Sequence, residues 1–275
     1  MKAVTIKIDT ENSLFQYIET LQRNRTKRNR ANEFVMEGVR SITQALRYKW
    51  TINALVYSRD RRLSDWAEDV IANSGAKTHF ILNLPLMAKL SQKEEASELL
   101  LVAGMPPDDL RRIPEREDLL GVVLDRPANP GNLGTIIRSC DALGAHGLVI
   151  TGHAADLYDP ETVRATTGSL FSLPVIRLAS HQDLVPWTDS LKKRLPGFQV
   201  VGTSAKAVTP IHEYDFSRPT LLLVGNESRG LSVAYRNSCD AMVAIPMHGS
   251  ATSMNIACAT SICLYEVDRQ RRSKR

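Results

Sequence analysis

Four consecutive apolar residues, Leu221, Leu222, Leu223 and Val224, run straight into the polar stretch Gly225-Asn226-Glu227-Ser228-Arg229-Gly230. An apolar run that stops this abruptly suits a parallel strand covered on both faces. Asn226 and Glu227 then stand at the carboxyl end of that strand, where open α/β sheets place their ligands. A second run, residues 241–245, reaches Pro246, which ends a strand by withdrawing a backbone donor. Ser253 and Asn255 follow, and an alanine-containing apolar helix leads from them through residue 266. A polar loop between a buried strand and a buried helix is a costly place for Ser and Asn unless they have partners.

The same alternation runs through the chain. Strand signals fall at residues 52–58, 79–82, 99–103, 119–124, 147–150, 173–178 and 198–203, as well as 220–224 and 241–245. Helical periodicity falls at 14–24, 38–48, 63–73, 86–90, 132–143, 160–166, 181–195 and 232–238. Strands alternating with helices give an α/β fold with a parallel sheet. Residues 105–118 hold Pro106, Pro107 and Pro114 among many charges, with no apolar periodicity. They read as a linker between a smaller α/β domain, 1–104, and a second domain, 119–275. Residues 269–275 read as a frayed, solvated basic tail.

Composition excludes more than it assigns. The hydrophobic share of 43% and charged share of 24% are those of a soluble globular protein. The net charge of +5 tilts towards a polyanionic partner. No apolar run reaches membrane-spanning length, and the amino terminus lacks signal-peptide character, so no membrane partner is expected. Cys140, Cys239, Cys258 and Cys263 form no C-x-x-C pair and read as reduced, buried thiols of a cytoplasmic protein. The six histidines show no metal-ligand spacing, and no metal is expected. Neither a P-loop nor an early G-x-G-x-x-G is present, which argues against an ordinary NTPase or dehydrogenase.

A third pattern, Asn129-Pro130-Gly131-Asn132-Leu133-Gly134-Thr135-Ile136-Ile137-Arg138, lies at a strand-to-helix turn. Leu133, Ile136, Ile137 and Cys140 recur at helical spacing and face the core, while Thr135 and Arg138 point elsewhere. Asn132 is the expected helix cap. Gly131 and Gly134 let a ligand approach the backbone, and a helix start of this kind suits a phosphate oxygen. By itself the pattern reads more readily as a tight turn with a surface arginine. Upstream, Arg23, Arg25, Lys27, Arg28 and Arg30 place five cations in eight residues, a density that suits phosphate contact or a solvated helix end.

Together the three patterns resemble the SpoU (TrmH) family of RNA ribose 2′-O-methyltransferases, within the SPOUT superfamily. N-x-G-x-x-x-R is met by Asn132, Gly134 and Arg138. G-N-E-x-x-G is met by Gly225, Asn226, Glu227 and Gly230, with Ser228 where glycine is common. I-P-M followed by S-L-N is met by Ile245, Pro246, Met247, Ser253 and Asn255, with Met254 in place of leucine. Phe34-Val35-Met36-Glu37-Gly38-Val39-Arg40 is similar to the ribosomal-protein-like RNA-binding domain that precedes many such catalytic domains.

The resemblance implies a C-terminal trefoil knot, S-adenosyl-L-methionine as cofactor and a homodimer. It implies methylation of a ribose 2′-hydroxyl in RNA, with large-subunit ribosomal RNA favoured. A tRNA-specific enzyme and a non-catalytic ribosome-associated RNA-binding protein are the alternatives. Gly225, Ile245 and Met254 would contact the cofactor, with Thr203 and Ser204 bordering the pocket. Arg138 would hold a phosphate or stabilise the developing alkoxide; as a base it is disfavoured, because a guanidinium stays protonated. Glu227 would orient Arg138 or nearby backbone. Asn132, Ser253 and Asn255 would position the ribose or support the loops. Arg25, Lys27, Arg28, Arg30 and Arg164 would meet RNA.

Overall fold

In the computed structural model, which describes residues 3–91, 93 and 95–273, every run read as a strand is a strand. The chain begins with β1 (Val4–Ile8), α1 (Ser13–Arg23), α2 (Arg25–Ala31), β2 (Glu33–Glu37) and α3 (Val39–Arg47). It continues with β3 (Ile52–Ser58), α4 (Asp65–Asn73), β4 (Thr78–Leu82), α5 (Leu84–Leu90) and β5 (Leu99–Gly104). Then come β6 (Leu120–Asp125), α6 (Pro130–Ala142), β7 (Gly147–Thr151), α7 (Pro160–Ala165) and β8 (Val175–Leu178). The last part holds α8 (Val185–Arg194), β9 (Gln199–Thr203), β10 (Thr209–Pro210), β11 (Thr220–Val224), α9 (Val233–Ser238), β12 (Ala241–Ala244) and α10 (Ile256–Arg272). Sequence periodicity gave no signal for β1, α2, β2 or β10.

Two units form. Met1–Pro106 and Asp156–Phe171 make the first, and Pro107–Ala155 and Ser172–Arg275 the second. The first is a five-stranded sheet in the order β1-β4-β3-β5-β2. β1, β4 and β3 run parallel, and β5 is antiparallel to β3 and β2. Asn12 caps α1 by accepting from the N–H groups of Leu14 and Phe15. Phe15, Ile18 and Leu21 of α1 share a core with Val35, Val56, Leu100 and Val102 of the sheet.

Segment 156–171, read from the sequence as part of the second domain, belongs to this first unit. Tyr158 packs on Phe34 with ring centroids 4.7 Å apart, and Trp50 packs on Phe171 at 5.0 Å. The Trp50 indole also donates to the Phe171 carbonyl at 3.0 Å. Local spacing cannot pair aromatic residues more than a hundred positions apart, so the boundary at 119 misses them.

The second unit is a seven-stranded, wholly parallel sheet in the order β10-β12-β9-β11-β6-β7-β8. Every residue of β6, β7 and β11 is buried, as strands covered on both faces require. Burying one leucine of the Leu221–Leu223 type contributes about 1.5–3 kcal/mol, and three in a row fix the strand's place.

Residues 105–118 are no free linker. Ile113 is 1% exposed within the second core, and Asp108 pairs with Arg177 at 2.9 Å. The basic tail is also tied down through residue 273. Arg271, in the last turn of α10, donates to the carbonyls of Asp118, Leu119, Phe216 and Arg218. Lys274 and Arg275 lie outside the described residues.

Candidate active site

Parallel strands bring their carboxyl ends to one edge of the sheet. The order β12-β9-β11-β6 therefore gathers the loops after these four strands side by side. Around the first three of these strand ends lies a cavity of about 410 Å³, within the size range of small-molecule sites. Thr203 and Ser204 line it from the end of β9, Gly225 and Glu227 from the end of β11, and Ile245, Ser253 and Met254 from the loop after β12. All five residues expected at the cofactor thus face one space. Met242, Val243, Leu231 and Ile256 supply apolar wall. The Cys263 thiol, also in the wall, is pushed up to about 12 by burial and stays neutral.

The β11 loop closes on itself. Asn226 and Gly230 exchange backbone hydrogen bonds, N–H to carbonyl in both directions, at 3.1 and 2.9 Å. The Asn226 carbonyl oxygen accepts from the Ser228 N–H, the Ser228 hydroxyl and the Arg229 N–H, all at 3.1 Å. Serine at 228 therefore serves the turn that glycine serves elsewhere. The Asn226 amide donates to the Arg126 carbonyl at 2.7 Å, pinning this loop to the one after β6. At Gly225 a Cβ would fall 2.1 Å from the Leu231 nitrogen and 2.2 Å from the Gly230 carbonyl carbon. Only glycine lets the loop fold back this closely.

A single line of hydrogen bonds joins the three motifs. Asn255 caps α10 with its oxygen, which accepts from the N–H groups of Ala257 and Cys258 at 2.8 and 3.3 Å. That leaves its amide to donate to the Asn132 oxygen at 3.1 Å. Asn132 must then turn its own amide outward, and it donates to the Glu227 carboxylate at 3.4 Å. The backbone cap thus sets the polarity of the whole chain. Glu227 also accepts from the Ala128 N–H at 3.2 Å and the Asn226 amide at 3.3 Å. Glu227 orients backbone, and among the described residues no hydrogen bond links it to Arg138. Asn132 is not the cap of α6. Asn129 is, accepting from the Asn132 N–H at 2.8 Å, with Pro130 in the first turn. The Asn-Pro pair carried that signal, since proline favours the first helical position.

Arg138 sits on the exposed face of α6, two turns from Asn132, and does not line the cavity. No hydrogen bond or ion pair engages it among the described residues. Ser253 is exposed at the cavity rim. Ser139 of α6 and Ser261 of α10 share a hydrogen bond of 2.8 Å, holding the two helices together. Lys206, Arg229 and Arg236 also line the cavity and were not singled out from the sequence. Arg229 was visible inside the second motif, whereas nothing local marks Lys206 or Arg236.

Of the basic cluster in the first unit, Arg25, Lys27 and Arg30 are exposed. Arg28 is not available to RNA. It is 2% exposed and donates to Asp156 from Nε at 2.9 Å and from a terminal nitrogen at 2.6 Å. It also donates to the carbonyls of Leu21 and Gln22 at 2.9 and 2.8 Å, closing the carboxyl end of α1. Arg164 is exposed on α7, in the first unit. The thiols divide as well: Cys140 and Cys263 are buried, while Cys258 is exposed, contrary to the reading of buried cysteines.

Comparison with known proteins follows the same division. The SpoU rRNA Methylase family matches residues 119–265, and the SpoU L30e-like domain matches residues 12–102. A 23S rRNA (uridine(2479)-2′-O)-methyltransferase of Streptomyces viridochromogenes is 48% identical over 271 residues, covering 98% of this chain and 94% of that one. The 23S rRNA (guanosine(2553)-2′-O)-methyltransferase RlmP of Bacillus subtilis is 29% identical over 241 residues, covering 88% and 90%. The crystal structure of the SpoU methyltransferase AviRb from Streptomyces viridochromogenes in complex with AdoMet matches with a TM-score of 0.88 at 46% identity. That match covers 95% of this chain and 100% of AviRb.

Proposed function

The chain belongs to the SpoU rRNA methylase family, and from that premise we propose that it methylates a ribose 2′-hydroxyl of 23S-type ribosomal RNA, as a cytoplasmic homodimer. It is an S-adenosyl-L-methionine-dependent RNA ribose 2′-O-methyltransferase. The observation that carries the reading is the bond line Asn255–Asn132–Glu227 beside a cavity edged by the loops after β9, β11 and β12.

The cavity suits the cofactor by its chemistry. Apolar side chains give a surface for a purine ring, and the Thr203 and Ser204 hydroxyls and loop backbone offer polar partners. Gly225, Ile245 and Met254 would hold the group with them. When bound, S-adenosyl-L-methionine supplies an electrophilic methyl on a sulfonium.

The chain's own residues have the remaining tasks. The acceptor hydroxyl must be held in line and lose its proton. Arg138, exposed and unengaged, offers a permanent positive charge to an RNA phosphate or to the forming alkoxide. Asn132 and Asn255 fix the loop geometry through the cap of α10, and Ser253 stands at the rim where a ribose can be met. Arg25, Lys27, Arg30 and Arg164 contact RNA in the first unit. Two exposed apolar residues of α10, Ile262 and Tyr265, support self-association. Among the described residues no helix is long and apolar enough to cross a membrane.

Ribose methylation should be mapped in ribosomal RNA from cells with and without this protein, and in purified RNA treated with protein and S-adenosyl-L-methionine. One added 2′-O-methyl in the large-subunit RNA is the expected result. A methyl only in tRNA, or none, would overturn the proposal.

A further inference from the structure

We propose that Asp125 and Arg126 are positioning residues, a two-residue clamp on the β11 loop that sets how tightly the cofactor is held without touching it. The proposal rests on the reading of the cavity as the site of S-adenosyl-L-methionine. Residues 225–231 of the loop all line the cavity, whereas Asp125 and Arg126 do not. Asp125 is the last residue of β6, and Arg126 follows it.

Arg126 holds a backbone conformation that its sequence disfavours. Its φ is +55°, in the left-handed region, and Pro127 comes next. A non-glycine residue seldom enters that region, and a residue before proline is pushed towards extended backbone. Such strain persists only where the surroundings over-determine it. Here they do. The Arg126 N–H donates to the Thr151 carbonyl at 3.0 Å. The guanidinium donates to the Asp125 carboxylate from Nε at 2.7 Å and from a terminal nitrogen at 2.9 Å, a two-pronged pairing. The Arg126 carbonyl accepts from the Asn226 amide at 2.7 Å. The left-handed turn directs that carbonyl at Asn226, whose own oxygen organises Ser228 and Arg229.

Asp125 grips the far end of the same loop. It is 4% exposed, and its carboxylate accepts from the Ser232 N–H at 2.7 Å. A carboxylate this buried keeps its donors, because leaving them unpaired is costly. The ion pair joins the two grips: the carboxylate that holds Ser232 also holds the residue whose carbonyl holds Asn226. Between the grips lies the stretch that forms one side of the cavity, so a shift at either end moves backbone that faces the cofactor.

The test uses the full chain, with S-adenosyl-L-methionine affinity measured by calorimetry and RNA affinity and steady-state kinetics measured alongside. Asp125→Ala should weaken cofactor binding about tenfold, as loss of a charged hydrogen-bond acceptor does. KM for the cofactor should rise with it, while kcat at saturating cofactor and RNA affinity stay within about twofold of wild type. A merely structural role would lower the melting temperature without separating cofactor from RNA. Asp125 is buried and its loss could unfold the protein, so a second pair of variants keeps the test decisive. Arg126→Gly and Arg126→Val both lose the guanidinium, but glycine takes a φ of +55° freely and a β-branched residue does not. Arg126→Gly should keep cofactor affinity within about threefold of wild type, and Arg126→Val should lose about tenfold. Wild-type cofactor affinity in folded Asp125→Ala or in Arg126→Val, or equal losses in Arg126→Val and Arg126→Gly, would overturn the clamp and leave the enzyme reading intact. A wild type that binds no S-adenosyl-L-methionine would overturn both.

Discussion

In the strand-end loops of the second unit, Asn132, Glu227 and Asn255 direct their hydrogen bonds at one another. In α2 of the first, Arg25, Lys27 and Arg30 stay exposed, while Arg28, in the same short helix, is 2% exposed. Both regions are dense in polar residues, and from sequence both pointed to function. The loops bring their polar residues together because a buried strand on one side and a helix start on the other leave few directions for a side chain. The helix divides its cations instead, because each turn presents every direction, and a distant partner decides which cation is taken inside. For Arg28 that partner is Asp156, 128 residues away.

The contrast is easiest to break at Arg28. Arg28→Ala leaves the Asp156 carboxylate buried without its partner, and should destabilise the protein by about 3–5 kcal/mol in denaturant unfolding. Adding Asp156→Ala should recover part of that loss. A single variant of wild-type stability would show that Arg28 is as dispensable as its exposed neighbours.

Arg138 is the opposite case, a cation with no hydrogen-bond or ion-pair partner among the described residues. Arg138→Ala should keep the fold and the cofactor affinity while methyl transfer falls on the order of a hundredfold or more. Isothermal calorimetry and a single-turnover assay separate the two readouts. Full activity would remove Arg138 from the reaction, and a large loss of cofactor affinity would move it into the pocket.

Neutralising Arg25, Lys27 and Arg30 together should weaken RNA binding about tenfold at low salt and flatten its salt dependence. Cofactor binding should be untouched. An unaltered salt slope would mean that the exposed side of α2 is solvated surface.

The smallest effect sharpens the other half of the comparison. Asn255→Ala removes the cap of α10 and should lower stability by about 0.5–2 kcal/mol. It also frees Asn132 to turn its amide, so transfer should fall more than stability accounts for. If Asn255→Asp restores the cap but not the activity, the bond to Asn132 matters in its own right. Full activity in both variants would reduce Asn255 to a helix cap.

Much of the second unit was legible in the chain. Apolar runs such as Leu221–Leu223 fix buried strands because period and burial are local properties of sequence. Pro246 and the tight loop after Gly225 mark strand ends for equally local steric reasons, and the family resemblance, laid on those strand ends, pointed to the cavity residues Thr203, Ser204, Gly225, Ile245 and Met254. Pairings between distant residues were not legible. Neither the docking of segment 156–171 on Phe34 and Trp50, nor the burial of Arg28, nor the grip of Arg271 on four carbonyls leaves a periodic trace. Secondary structure answers to neighbours within a few residues, whereas the fate of a charge or a hydroxyl is set by whichever group the folded chain brings within about 3 Å of it.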